Sequence, residues 1–183
     1  LERLSVTELR NYQLDVIVVD DGSVDGTAEA VTQQHPDVAL VKGDGNLWWT
    51  GAVNRGVEYA LAYDYNYFML LNDDVEWGRD CFQELLDVAD RHPQALVSSI
   101  KLMLGEGSGI DRDNQNQIIL TGCLREQGIL REICDSVSGR PYRVVKNVEV
   151  LSCDALTGAA LLIPKSVFDA IGVFDAKSFP HNW

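Results

Sequence analysis

The stretch Leu14-Asp15-Val16-Ile17-Val18-Val19-Asp20-Asp21-Gly22-Ser23 decides how this chain is read. Its first six residues form a short, largely β-branched apolar run, the pattern of a strand covered on both faces. The run ends abruptly in two carboxylates and a Gly-Ser turn. Asp25-Gly26-Thr27 then opens a helix-forming segment, residues 28–35, which Pro36 stops. Outward from there, residues 38–41 predict a second strand. The spacing of Val53, Val57, Ala60 and Leu61 predicts a helix over residues 51–63. Residues 67–71 predict a buried strand that stops at Asn72-Asp73-Asp74. A helix over 81–91, closed by His92-Pro93, and a strand over 95–100 follow. Between Gly105 and Arg143 the pattern weakens into a loop-and-hairpin region with one apolar stretch, Ile118-Ile119-Leu120. Residues 156–163 predict a last strand, with Pro164 at the first turn of a short helix that Gly172 ends.

Strands alternating with helices of this length imply βαβ units. The expected fold is α/β, a Rossmann-related doubly wound, mostly parallel sheet flanked by helices. In such sheets ligands bind beyond the carboxyl ends of the strands, where both acidic clusters sit. The 183 residues, 46% of them hydrophobic, suffice for one core, so a single domain is expected. With 28 acidic against 15 basic residues, a net charge of −13 and no segregated basic patch, the chain is no nucleic-acid binder. The same charge opposes adsorption to an anionic membrane. No apolar run reaches the roughly 18–20 residues of a bilayer span, and the start has no signal-peptide core. The expected compartment is the cytoplasm, with attachment to the inner membrane face through an element outside this chain left open. Cys81, Cys123, Cys134 and Cys153 lack C-x-x-C spacing, which disfavours a zinc cluster, and reduced, mostly buried thiols are expected.

Three constellations carry chemistry. Asp20-Asp21-Gly22-Ser23 offers carboxylates to ribose hydroxyls or a base N–H, against the plainer role of a strand-to-helix turn with Asp25 or Thr27 capping the helix. Asn72-Asp73-Asp74 offers hard oxygen ligands for Mg²⁺ or Mn²⁺ beside a diphosphate, against a polar turn before a helix. The segment from Asn46 to Gly56 contains Trp48, Trp49, Gly51, Asn54 and Arg55. It offers a stacking surface, backbone N–H groups and a guanidinium for phosphate, against core packing of the two tryptophans, which is the commoner outcome.

These features in this order, followed by Thr157-Gly158-Ala159-Ala160 and Gly172-Val173-Phe174-Asp175, resemble glycosyltransferase family 2, especially its rhamnosyltransferase-like members. The resemblance runs from about Leu14 onward and weakens between Gly105 and Arg143. It implies a GT-A fold in which Asp20 and Asp21 contact base and ribose, Asp73 the ribose or diphosphate, and Asp74 a divalent metal, Mn²⁺ or Mg²⁺. Gly22, Ser23, Gly51, Asn54 and Arg55 complete the nucleotide-sugar set, and Thr157, Gly158 and Ala159 line the sugar and acceptor cleft. The donor it implies is a UDP- or dTDP-sugar, and the acceptor a glycan or lipid-linked hydroxyl. Two departures stand out. The family's first strand, with its P-x-Y-N-like loop, has no match before Leu14. The acidic pair that supplies the family's general base would fall beyond Trp183, leaving Asp154 as the fallback base. The domain expected over residues 1–183 therefore lacks the family's first strand and C-terminal part.

The expected reaction is metal-dependent, inverting sugar transfer to an acceptor hydroxyl. A sugar-1-phosphate nucleotidyltransferase is the enzymatic alternative, although no Gly-rich basic phosphate loop is readable. A non-catalytic nucleotide-sugar-binding fragment is the other. No G-x-G-x-x-G follows a strand, which sets a dinucleotide-type dehydrogenase aside.

Overall fold

A computed structural model describes residues 1–99, 101–103, 117–120, 123–124, 134–135, 147–150, 152–156 and 158–181. In chain order the elements are α1 (Glu2–Ser5), β1 (Ile17–Asp20), α2 (Thr27–Gln34), β2 (Ala39–Lys42), α3 (Trp48–Ala60), β3 (Tyr67–Leu71), α4 (Cys81–Arg91), β4 (Val97–Ser98), β5 (Lys101–Met103), β6 (Gln117–Leu120), β7 (Cys123–Leu124), β8 (Cys134–Asp135), β9 (Ala160–Pro164) and α5 (Lys165–Ile171). The chain read from sequence as one domain clusters into two compact units. One is Leu1–Phe68 with Pro164–Trp183, the other Met69–Ile163.

In the first unit β1 and β2 pair in parallel, Ile17 opposite Ala39 and Asp20 opposite Lys42. A parallel pair needs a crossover, and α2 supplies it. The Asp25 carboxylate accepts the Thr27 N–H (3.1 Å) and hydroxyl (2.6 Å), satisfying a donor that the first turn leaves open. At the other end His35 closes onto the Val31 carbonyl, and Pro36 cannot continue the ladder. Helix α3 lies on β1 so closely that a Cβ at Gly56 would stand 3.0 Å from Val19 Cγ2. Its buried stripe is Thr50, Asn54, Val57 and Ala60, one helical face that begins polar and becomes apolar. Phe68, Phe168 and Phe174 pack edge to face, with centroids 5.1 and 6.1 Å apart.

In the second unit a three-stranded sheet runs in the order β3, β9, β4, with β4 and β9 antiparallel. Helix α4 buries Phe82, Leu85, Leu86 and Ala89, the i, i+3, i+4, i+7 spacing of a core-facing stripe. All five residues of β9 are buried, as a central apolar strand requires. Two antiparallel ribbons follow, β5 with β6 and β7 with β8, and all their strands except β5 fall in the region read as loop and hairpin.

Most elements fall where the sequence reading puts them, but α1 was not read, β1 starts at Ile17 instead of Leu14, and three further elements differ. Helix α3 starts three residues before the predicted position 51, because the loop ahead of it is tied down by contacts described below. The strand predicted over 95–100 is the two-residue β4, with β5 beginning at Lys101. The strand predicted over 156–163 starts at Ala160 after a turn at Gly158-Ala159. Of the thiols, Cys81 and Cys153 are half-buried and in no disulfide with a described residue, and burial raises the Cys81 pKa, which disfavours its reactive thiolate form.

Candidate active site

Asp20 ends β1 with only 7% of its surface exposed. The Ser23 hydroxyl bonds to its carboxylate, as does the Ser23 N–H (3.0 Å). These bonds, with Lys42 alongside, hold its pKa below the usual carboxylate value. Asp21 serves a different loop. One of its oxygens accepts the Gly45 N–H and the other the Leu47 N–H, both at 2.8 Å. One carboxylate thus ties the turn after β1 to the loop after β2.

That crossing is glycine-built for a steric reason. Gly22 and Gly45 take φ of 83° and 85°, the left-handed region that side chains resist, and a Cβ on Gly22 would stand 3.2 Å from the Gly45 Cα. A Cβ on Gly43 would collide with the Asp21 carboxylate and lie 2.6 Å from Leu47 Cδ1.

Leu47 hands the chain directly to Trp48, the first residue of α3. Trp48 sits at φ 55°, an outlier for so bulky a side chain, and is 60% exposed. The packing role expected for Trp48 is therefore not observed. Its ring meets His181 edge-on, centroids 4.3 Å apart. Two residues on, Thr50 is fully buried. Its hydroxyl donates to the Phe179 carbonyl (2.6 Å) and its N–H to the Pro180 carbonyl (3.1 Å). One turn later the Asn54 carboxamide bridges Phe174, donating to its carbonyl (2.7 Å) and accepting its N–H (2.9 Å).

Sequence reading offered Gly51 and Asn54 to the nucleotide sugar. Here the Gly51 N–H is committed to the Leu47 carbonyl (3.1 Å), and the buried Asn54 carboxamide holds the chain's own backbone. Arg55, by contrast, is exposed. The sequence reading missed the Thr50–Asn54 cradle for segment 174–180. A Thr and an Asn at i, i+4 were the available signal, but apolar periodicity passes over them.

In the second unit the Asn72 N–H donates to the Ala159 carbonyl (3.3 Å), so the turn ending β3 lies beside the Gly158-Ala159 turn that precedes β9. Gly158 is buried. Thr157, the other residue expected in the cleft, lies outside the described residues. Asp73 and Asp74 are exposed, and neither bonds nor ion-pairs with any described residue, in contrast to the engaged Asp20 and Asp21. Among the described residues no group of three or more His, Cys, Asp or Glu is placed to hold a metal ion. Two uncommitted carboxylates on one turn nevertheless fit the mode in which Mg²⁺ or Mn²⁺ takes one or two protein oxygens and completes its shell with phosphate and water. Asp154 is exposed. Among the described residues no helix is long and apolar enough to cross a membrane.

Two curated relatives, both called N-acetylglucosaminyl-diphospho-decaprenol L-rhamnosyltransferase, come from Mycobacterium tuberculosis strains CDC 1551 / Oshkosh and ATCC 25618 / H37Rv. Each is 28% identical to this chain over 179 residues. The match covers 91% of this chain and 57% of each relative, so the chain spans little more than half their length. The family model "Glycosyl transferase family 2" matches residues 3–147, a segment that contains β1, the Asp21-tied loop and the Asn72-Asp73-Asp74 turn. The chain belongs to glycosyl transferase family 2, and the GT-A fold that the family implies agrees with its α/β architecture and parallel β1–β2 pair.

Proposed function

We propose that the protein transfers a sugar from a nucleotide-sugar donor to an acceptor hydroxyl, with inversion and with help from a divalent metal. The observation that carries this reading is the contrast between the two acidic turns within a family 2 chain. Asp20 and Asp21 hold backbone N–H groups of the surrounding loops, while Asp73 and Asp74 have no bonded partner among the described residues. Asp74, with Asp73, would hold Mn²⁺ or Mg²⁺, which supplies charge neutralisation for a diphosphate leaving group. The turn at Asp20-Asp21-Gly22-Ser23 is the proposed seat of base and ribose, and the exposed Arg55 is the phosphate partner on α3. Gly158 and Ala159, beside Asn72, border the space for the transferred sugar.

In the proposed reaction a carboxylate base takes the proton of the acceptor hydroxyl. The oxygen attacks the anomeric carbon and the nucleoside diphosphate leaves, without a covalent enzyme intermediate. Asp154 is the base candidate within this chain, and an Asp154→Asn protein with full turnover would remove it from that role. The relatives' names point to transfer of L-rhamnose and to an N-acetylglucosaminyl-diphospho-decaprenol acceptor, and the donor proposed with them is a dTDP- or UDP-sugar. Work on such an acceptor fits a cytoplasmic enzyme at the inner membrane face.

Isothermal calorimetry of the full-length protein with dTDP and UDP, with and without Mn²⁺, tests this reading. Asp74→Asn should abolish the Mn²⁺-dependent part of the affinity, and unchanged affinity would overturn the metal assignment. Turnover of sugar 1-phosphate and nucleoside triphosphate would replace transfer with nucleotidyl chemistry. Donor binding without any transfer would leave a binding module.

A further inference from the structure

Helix α3 begins with an arrangement that neither the nucleotide nor the metal accounts for. Trp48 is the largest exposed side chain of the described residues, and Phe179, carried on the segment that Thr50 grips, is itself 54% exposed. His181 stands edge-on to the Trp48 ring. An aromatic left in water at a φ that Trp disfavours is costly on two counts, so the surrounding structure must over-determine it.

It does so from both sides. Asp21 holds Leu47 immediately before Trp48. After Trp48, Thr50 and Asn54 make four hydrogen bonds to the backbone of Phe174, Phe179 and Pro180, which fixes the loop that presents Phe179 and His181. Within that loop the Asp175 carboxylate accepts the Ser178 N–H (3.0 Å) and the Asp175 carbonyl the Phe179 N–H (3.0 Å), so the turn is rigid in itself. The exposed Trp48 face, with the His181 ring standing at 78° to it, is held firmly enough to be a pre-organised stacking surface, since little freedom is left to lose when a ring settles on it.

The chemistry of the surroundings selects the ring. The two loops that carry the aromatics also carry the exposed carboxylates Asp44 and Asp175, which are acceptors for hydroxyl groups. A neutral ring with an apolar C–H face and hydroxyl edges matches both features.

We propose that Trp48, with the His181 ring edge-on to it, is a stacking platform for a pyranose ring of the donor or the acceptor. Asp21, Thr50 and Asn54 are its positioning residues. The proposal rests on the transferase reading for the identity of its ligand and on the geometry of α3 for its place.

The test uses the full-length protein and the variants Trp48→Ala, Trp48→Phe and Trp48→Gly, the last because glycine accepts φ 55° without strain. Calorimetry with dTDP-L-rhamnose and with dTDP separates sugar from nucleotide. A donor-side platform predicts that Trp48→Ala weakens dTDP-L-rhamnose about tenfold while dTDP is unchanged, and that Trp48→Phe keeps most of the affinity. An acceptor-side platform leaves both donor affinities unchanged and raises the acceptor KM about tenfold with kcat preserved. Saturation-transfer NMR with methyl α-L-rhamnopyranoside and methyl N-acetylglucosaminide reads the platform without turnover, and the ring-proton signal should vanish in Trp48→Ala and Trp48→Gly. Equal weakening of dTDP and dTDP-L-rhamnose would assign Trp48 to the base and overturn the proposal, as would pyranoside signals that survive both variants. A wild-type protein that binds pyranosides but no nucleotide sugar would instead sink the transferase reading alone.

Discussion

Asp21 makes a prediction that separates architecture from ligand contact. Its two oxygens each hold a backbone N–H 24 and 26 residues away, so Asp21→Ala leaves both donors unpaired and should cost about 2–3 kcal/mol in urea denaturation without any ligand present. Asp21→Asn should be nearly as harmful, because one amide N–H would face a backbone N–H. A purely ligand-binding Asp21 would leave stability untouched. Asp20 makes a different prediction. Its folded pKa lies below the ordinary 3.8 because Ser23 bonds its ionised form, so its contribution is present above that pH and is lost as pH falls through the folded value. The stability gap between wild type and Asp20→Asn should be constant from pH 7 to 5 and close below about pH 4. A gap that persists at pH 2 would show that the charge plays no part.

Among the elements, α3 carries the heaviest constraints. Thr50→Val keeps the shape of a fully buried side chain but strands the Phe179 carbonyl, and should cost about 1–2 kcal/mol. Asn54→Ala should speed hydrogen exchange at the Phe174 amide well before global unfolding, whereas a merely packed Asn54 would leave that amide as protected as its neighbours. Gly43→Ala forces a methyl group into the Asp21 carboxylate and Leu47, and a loss of about 1–3 kcal/mol is expected. These elements also show where sequence reading succeeds. Helix α4 was legible to the residue because its burial stripe is wholly apolar and its end is marked by His92-Pro93. The start of α3 was not, because its stripe begins with Thr50 and Asn54, whose burial depends on partners 120 or more residues away. A one-dimensional pattern records what a side chain is and not whom it meets. The same blindness turned Trp48 into an expected core residue.

For the whole molecule, charge is the governing quantity. A protein of net charge −13 and an anionic nucleoside diphosphate repel each other, so the proposed metal has to offset that repulsion. Chelation by EDTA should lower dTDP or UDP affinity at least tenfold at low salt. Monovalent salt should recover only part of the loss, since it screens without bridging. Recovery of full affinity by salt alone would mean that no bridging ion is needed. The α/β class and the strand-end position of both acidic turns were legible because the alternation of apolar runs and helical segments is strong. The separate duties of those turns were not, because Asp-Asp-Gly and Asn-Asp-Asp look alike until hydrogen-bond partners distinguish a tethered carboxylate from an idle one.

The first unit is assembled from the two ends of the chain, and Asn54 meets Phe174 across 120 residues. At a translation rate of about ten residues per second, α3 leaves the ribosome roughly ten seconds before its closing partner. During that interval the Asn54 carboxamide and the Thr50 hydroxyl have only water to satisfy them, so this unit reaches its full stability only after residues 174–180 have emerged. A stop codon between Ile171 and Phe174 would leave the second unit whole and remove only the closing stretch of the first. It would still yield a protein prone to chaperone capture and degradation.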